Sequence, residues 1–312
     1  PIYIIDLNTS FYYSIMIKTF RWLHALAALC CVGGSTAAPR GSLRQAIADL
    51  RQENSAADRV LEDSDGIDEV LSQSLPTIDL IDSGVGNAKP QLGQWKNILV
   101  WVEPSDVIPE GPPSYFSQVG QDQSVVAAFH GKREGFFLDL AANDPVTLSN
   151  TLALERDYAW SGICIEANPQ YWPRLAHRRC EVFGVVVGEN DKDQLDVALD
   201  QRGVYGGIVG AQFDNKQKTS ESKRRSVSLE TILTRASAPF VIDYFSLDVE
   251  GAEEFIMKGF PFATYRFNLL TVERPSAVLQ ELLTNNSYVY VRDHGGFGDQ
   301  MWRHATFPAW SS

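Results

Sequence analysis

An α/β fold with a central, mostly parallel sheet and helices on both faces is predicted by three observations. Short apolar runs that end in an acid recur along the chain: 136–140 with Asp139, 162–165 before Glu166 and 244–247 before Asp248. Segments of helical length separate them, and strands alternating with helices build a parallel sheet. The chain has 312 residues, 44% hydrophobic and 21% charged, enough to bury one sizeable core and carry extensions besides.

The elements follow in order. A helix is expected over 123–130, with Asp122 as its N-cap, and a strand over 136–140. A second helix, 145–158, takes Asp144 as N-cap and Pro145 at its first position, where a missing N–H costs nothing. After a strand at 162–165, Asn168-Pro169 repeats the device and opens a helix over 169–178 that carries Tyr171, Trp172, Leu175 and Ala176. A strand at 182–187 precedes an irregular insertion, 188–226, expected as a surface excursion or a lid. Its basic cluster, Lys223-Arg224-Arg225, reads as a solvated loop. Helix 229–235, strand 244–247, helix 252–258, strand 269–272, helix 277–283 and strand 288–291 follow, and 301–306 completes a terminal hairpin.

The carboxylates fall at the carboxyl ends of these strands, the edge at which open α/β sheets bind ligands. Glu166 is suited to accept hydrogen bonds from both hydroxyls of a ribose, which points to a nucleoside cofactor. The turn at 141–145, Ala-Ala-Asn-Asp-Pro, lacks the G-x-G-x-x-G that lets a pyrophosphate approach the backbone, so NAD is the weaker candidate. A parallel strand pair with polar turns and no ligand is the plain alternative. Asp248 and Glu250 share a parity, and a carboxylate at a strand end is suited to take a proton as general base. Glu253 and Glu254 are read as favouring the first turn of the next helix. Glu273 faces the same cleft or pairs with Arg274. Asp248, Glu250, Glu273 and His294 offer donors for a divalent ion, but their spacing does not demand one, and no metal is assigned.

Four blocks in their order and spacing, SQVGQD (117–122), FFLDLAANDPVTLSNT (136–151), WSGICIEANP (160–169) and DYFSLDVEGAE (243–253), resemble the FkbM-type methyltransferases over about 117–273. The resemblance implies a Rossmann-like class I methyltransferase fold and S-adenosyl-L-methionine-dependent methyl transfer to a hydroxyl oxygen of a small molecule, glycan or lipid-linked sugar. Asp139, Ala141, Asn143, Asp144, Glu166 and Asn168 then frame the cofactor, Gln121 and Asp122 lie over it together with Gln118, and Asp248, Glu250 and Glu273 face the reacting groups. The family pattern D-x-G-A-N-D-G is here Asp139 to Pro145 with two glycines replaced, by Ala141 and Pro145. Alanine brings a Cβ and proline lacks an N–H, which bears on cofactor affinity. The alternatives are a noncatalytic binding domain derived from such an enzyme and a nucleotide-sugar or NAD-binding enzyme.

A net charge of −12 disfavours nonspecific binding to nucleic acid or an anionic membrane. From Met16, the basic Lys18 and Arg21, the apolar run 22–34 and the small residues 35–38 resemble a signal peptide, preceded by an upstream extension. The run is too short for a stable membrane span, so the secretory route is expected, with a bipartite organelle signal as the rival. An acidic, mobile stem is expected over 39–114 and the catalytic domain over 115–312. Cys164 and Cys180 are placed at opposite ends of neighbouring strands and read as free buried thiols. Asn285-Asn286-Ser287 is a glycosylation sequon.

Overall fold

The computed structural model describes residues 3–6, 77–81, 95–101, 108–199, 206–217 and 222–309. The chain divides into two compact units, 1–5 with 76–312, and 6–75; beyond Asp6 the second lies outside the described residues, and so does the signal-like segment. Within the stretch expected as a stem, strands β2 (Thr77–Ile81) and β3 (Trp95–Trp101) pair with each other, after β1 (Tyr3–Asp6). β2 also pairs in parallel with β6 (Glu181–Phe183), so this part of the stem extends the sheet.

The central strands are β4 (Phe136–Leu140), β5 (Ser161–Ile165), β6, β11 (Val241–Leu247), β12 (Arg266–Val272), β13 (Tyr288–His294) and β14 (Asp299–His304). The whole sheet runs β1-β3-β2-β6-β5-β4-β11-β12-β14-β13. From β6 to β12 every pairing is parallel, and β14 is antiparallel to both of its neighbours. Side chains alternate across the sheet: Leu138 and Ile163 pack toward one layer, Phe137 and Cys164 toward the other. Helices α4 (Leu229–Arg235), α5 (Glu253–Lys258) and α6 (Ala277–Asn285) bury Ile232, Met257 and Leu279 in the first layer. The second receives Val125 from α1 (Gln121–Ala128), Leu154 from α2 (Leu152–Tyr158) and Trp172 from α3 (Trp172–Leu175). This is a Rossmann-like sheet whose strand order reverses between β4 and β11, and a cleft opens there at the carboxyl edge.

Several expectations are corrected. No helix starts at Pro145: the Asp144 carboxylate accepts from the N–H groups of Val146 and Thr147, but Leu148 takes a left-handed φ of 62° and bridges to Ser117. The helix begins only at Leu152, after Thr151. The helix expected over 169–178 shrinks to the four residues of α3, and Gly120, not Asp122, precedes α1. The described part of the insertion is not irregular. β7 (Val186–Val187), β8 (Gln194–Ala198), β9 (Gly207–Ile208) and β10 (Ser222–Val227) form a second sheet, in the order β7-β10-β8-β9, and the basic cluster lies within β10.

The cysteine expectation is also overturned: Cys164 and Cys180 form a disulfide with Cα atoms 5.8 Å apart. β6 is only three residues long and Val182 pairs with Cys164, so Cys180 lies two residues upstream on the same face, diagonal to its partner. The opposite-end geometry would have required a longer strand.

Candidate active site

A cleft of about 750 Å³ lies over the carboxyl edge, within the range of small-molecule sites. Four adjacent strands deliver an acid to it: Asp139 on β4, Glu166 after β5, Asp248 after β11 and Glu273 after β12. The insertion supplies a wall through Gly207 of β9 and through Asn215 and Lys216 of a 3-10 turn at Asp214–Gln217, while the terminal hairpin adds Phe297 and Asp299. Gly251 permits the insertion to approach, because its φ is +91° and a Cβ there would come within 2.7 Å of the Asp214 backbone nitrogen.

At one end stands Glu166, buried at 7% exposure. One carboxylate oxygen accepts from the Asn143 N–H at 2.8 Å and the other from the Asn168 N–H at 2.7 Å. Burial nonetheless pushes its carboxyl up to about 7, against those donors. Asp139 accepts from the Thr151 hydroxyl at 2.5 Å, and burial holds its carboxyl above the usual range. The Arg178 guanidinium donates to Thr151 Oγ1, Ser149 Oγ and the Pro145 carbonyl, and pairs with Glu155 at 3.1 Å. This buried network holds the 145–151 segment in its nonhelical course under the cleft.

Asp144 is turned to other work: besides its backbone bonds it pairs with Arg174, and it does not line the cleft. Asp122 is fully buried, accepting from the Phe116 and Ser117 N–H groups and the Ser117 hydroxyl, and it too lies off the cleft. Gln118, Gln121, Ala141, Asn143 and Asn168 do line it, whereas Pro145 does not.

The other end is acidic. Oxygens of Asp248, Glu250 and Glu273 lie within 4.8 Å of one another. Burial, then repulsion from Glu273, Glu250 and Asp299, drives the Asp248 carboxyl well above the ordinary carboxylate range. Arg274 opposes this crowding, reaching Glu273 at 2.6 Å, Asp214 at 2.7 Å and Glu250 at 3.4 Å. Glu253 stands in the first turn of α5 and is buried; its carboxylate also accepts from the Val249 and Gly251 N–H groups, clasping the turn that presents Asp248 and Glu250. Glu254 pairs with Lys258 and Ser276. His294 is buried against Ser124 at 2.8 Å, away from the cleft lining.

Asn150, Arg274 and Asp299 were missed by sequence reasoning. Arg274 adjoins Glu273 and was considered only as its ion partner. Asp299 has no local signal, but β14 is antiparallel, so it begins at the edge where its parallel neighbours end: Gln300 pairs with Val272, which sets Asp299 beside Glu273. Backbone strain gathers here as well. Ala141, Asn143, Leu148, Glu250 and Arg274 all line the cleft and all have φ between 39° and 65°, a clustering typical of functional sites.

Residues 139–290 match the family model for the methyltransferase FkbM domain. That match, over just under half of the chain, supports methyl transfer and, with it, use of S-adenosylmethionine in general terms. Among solved structures, a Methanococcus jannaschii fibrillarin pre-rRNA processing protein is 12% identical, over 72% of this chain and 86% of that one, with a TM-score of 0.29. No curated protein matches the chain.

Proposed function

We propose that the protein transfers a methyl group from S-adenosylmethionine to a hydroxyl oxygen of a small molecule, glycan or lipid-linked sugar, in the secretory route. The observation that carries the cofactor assignment is Glu166: a buried carboxylate at a strand end, lining the cleft, with its charge favoured by two backbone donors. Its remaining lone pairs suit the two hydroxyls of a ribose. Asp139, Ala141, Asn143 and Asn168 complete that end, and Gln121 closes it from α1.

S-adenosylmethionine supplies an electrophilic methyl group on a sulfonium; the new C–O bond forms as the C–S bond breaks, its electron pair staying on sulfur. The acidic trio of Asp248, Glu250 and Glu273 takes the hydroxyl proton. Asp248, whose carboxyl is raised by burial and by its neighbours, is the group assigned as proton acceptor. Phe297 and Leu148, both exposed, give the cleft lining apolar surface.

What supports the secretory placement is the Cys164–Cys180 disulfide, since such bonds persist in oxidising compartments. The sequon asparagine, Asn285, is exposed at the end of α6.

The cofactor reading is tested by calorimetric titration of the wild type and Glu166→Ala with S-adenosylmethionine. Saturable binding weakened at least about 30-fold in the variant, or roughly 2 kcal/mol, is expected, with near-ultraviolet circular dichroism confirming the fold. Equal affinity in both proteins would remove Glu166 from the site.

A further inference from the structure

We propose that the acidic end of the cleft is a binding site for a hard divalent cation, of the magnesium, manganese or calcium type, held by Asp248, Glu250 and Glu273 with Asp299 beside them. Oxygen ligands sit about 2.0–2.6 Å from such ions, so two of them on one ion are at most about 5 Å apart. The three carboxylates meet that condition, lying within 4.8 Å of one another.

A cluster of acids alone would not suffice, because exposed acids often crowd without binding anything. The independent observation is Asp299. It comes from another element, the terminal hairpin, and is only 8% exposed, yet its Oδ1 has no hydrogen-bond partner. Its Oδ2 is engaged weakly, by the Gln121 amide at 3.3 Å. It lines the same cleft, its charge acts on Asp248, and it is itself repelled by Glu273. Glu273 Oε2 is likewise a buried oxygen without a partner, although Glu273 Oε1 is met by Arg274. Buried acceptors left unmade are costly.

Arg274 is the one cation in contact with the cluster among the described residues, and it is shared with Asp214. Its side chain is 45% exposed, and within the cluster it reaches Glu250 and Glu273. Oxygen-only donors suit a hard ion and exclude a soft one, since neither histidine nor cysteine joins the group. His294 Nδ1, also without a partner, belongs to a side chain that does not line the cleft. If methyl transfer is as proposed, the cation would hold and polarise the acceptor hydroxyl while one of the same carboxylates takes its proton; that consequence rests on the methyl-transfer reading, and the cation site does not.

The test is a titration of the chelator-treated full chain with Mn²⁺ alone, followed by electron paramagnetic resonance. One ion per chain is expected, displaced by excess Mg²⁺ or Ca²⁺. Asp248→Asn and Glu273→Gln should each weaken binding at least tenfold and Asp299→Asn should weaken it less, while the distant Glu254→Gln should leave it unchanged. Saturating Mn²⁺ should also raise the melting temperature of the wild type but not of Asp248→Asn, which shows in the same samples that each variant is folded. Absence of saturable binding in the wild type, or equal binding in Asp248→Asn and Glu273→Gln, would overturn the site, and would show that Arg274 alone balances the cluster. Because no methyl donor is present, neither result depends on the transfer activity.

Discussion

Strand β11 carries an acid toward each end of the sheet, and the two are treated in opposite ways. Asp243, near its amino end, is fully served: Lys132 donates to both oxygens at 2.7 and 2.8 Å, the Phe136 N–H at 3.0 Å and the Asn268 amide at 3.1 Å. Asp248, just past its carboxyl end, faces Glu273, Glu250 and Asp299 instead. One acid ties strands and a loop together, whereas the other is held among like charges that raise its carboxyl. The lesson is that the same residue type on one strand contributes stability where donors surround it and costs stability where they are withheld, and the costly end is the one that lines the cleft.

That contrast can be broken by substitution. The largest effect is expected at Asp248. Asp248→Asn should lower methyl transfer at least about 100-fold by removing the proposed proton acceptor, yet raise unfolding stability by up to about 1 kcal/mol in metal-free buffer because a repelled charge is gone. Asp243→Ala should do the reverse, costing about 2 kcal/mol of stability from its lost charged hydrogen bonds while leaving transfer per folded molecule unchanged. Urea unfolding beside a radiolabelled-methyl assay reads both; equal stability losses in the two variants would erase the distinction between the edges.

A smaller effect sharpens the strain at the cleft. Ala141 stands at φ 65°, a conformation glycine adopts without a Cβ penalty. Ala141→Gly should therefore stabilise the fold by about 1 kcal/mol or slightly less, and tighten cofactor binding only if the Cβ obstructs the ligand. Pro145→Gly should not tighten it, since Pro145 lies outside the cleft lining. Destabilisation by Ala141→Gly would mean that the left-handed turn is not strained.

Much of this was legible in the sequence, and the reasons differ by residue. Asp139, Glu166, Asp248 and Glu273 could be placed because an apolar strand ending in an acid needs only local pattern, and parallel strands put all such ends on one edge. The helix at 145–158 was misread because Asp144-Pro145 is a genuine start signal whose hydrogen bonds are made, but Arg178 and the Ser117 bridge hold the following residues in a nonhelical course. Tertiary contacts overrode a local cap. The disulfide depended on β6 being three residues long, a boundary that propensity does not determine. Strand β10 was hidden by its basic run, which reads as solvated loop until β8 pairs with it. Asp299 could not be assigned before the antiparallel direction of β14 was known.

The central claim is that the carboxyl edge holds S-adenosylmethionine through ionised Glu166. With its folded carboxyl raised to about 7, Glu166 contributes stability that is complete below its unfolded value near 4.5 and is lost as pH rises through about 7. The ionised form, costly to the empty fold, is the one that accepts two hydroxyls. Calorimetric titration with S-adenosylmethionine between pH 5.5 and 8.5 should therefore show one saturable site whose affinity falls about fivefold from pH 7 to pH 6, a dependence absent in Glu166→Gln, with no binding of NAD. Tight binding independent of pH in the wild type, or binding of NAD in its place, would contradict the account.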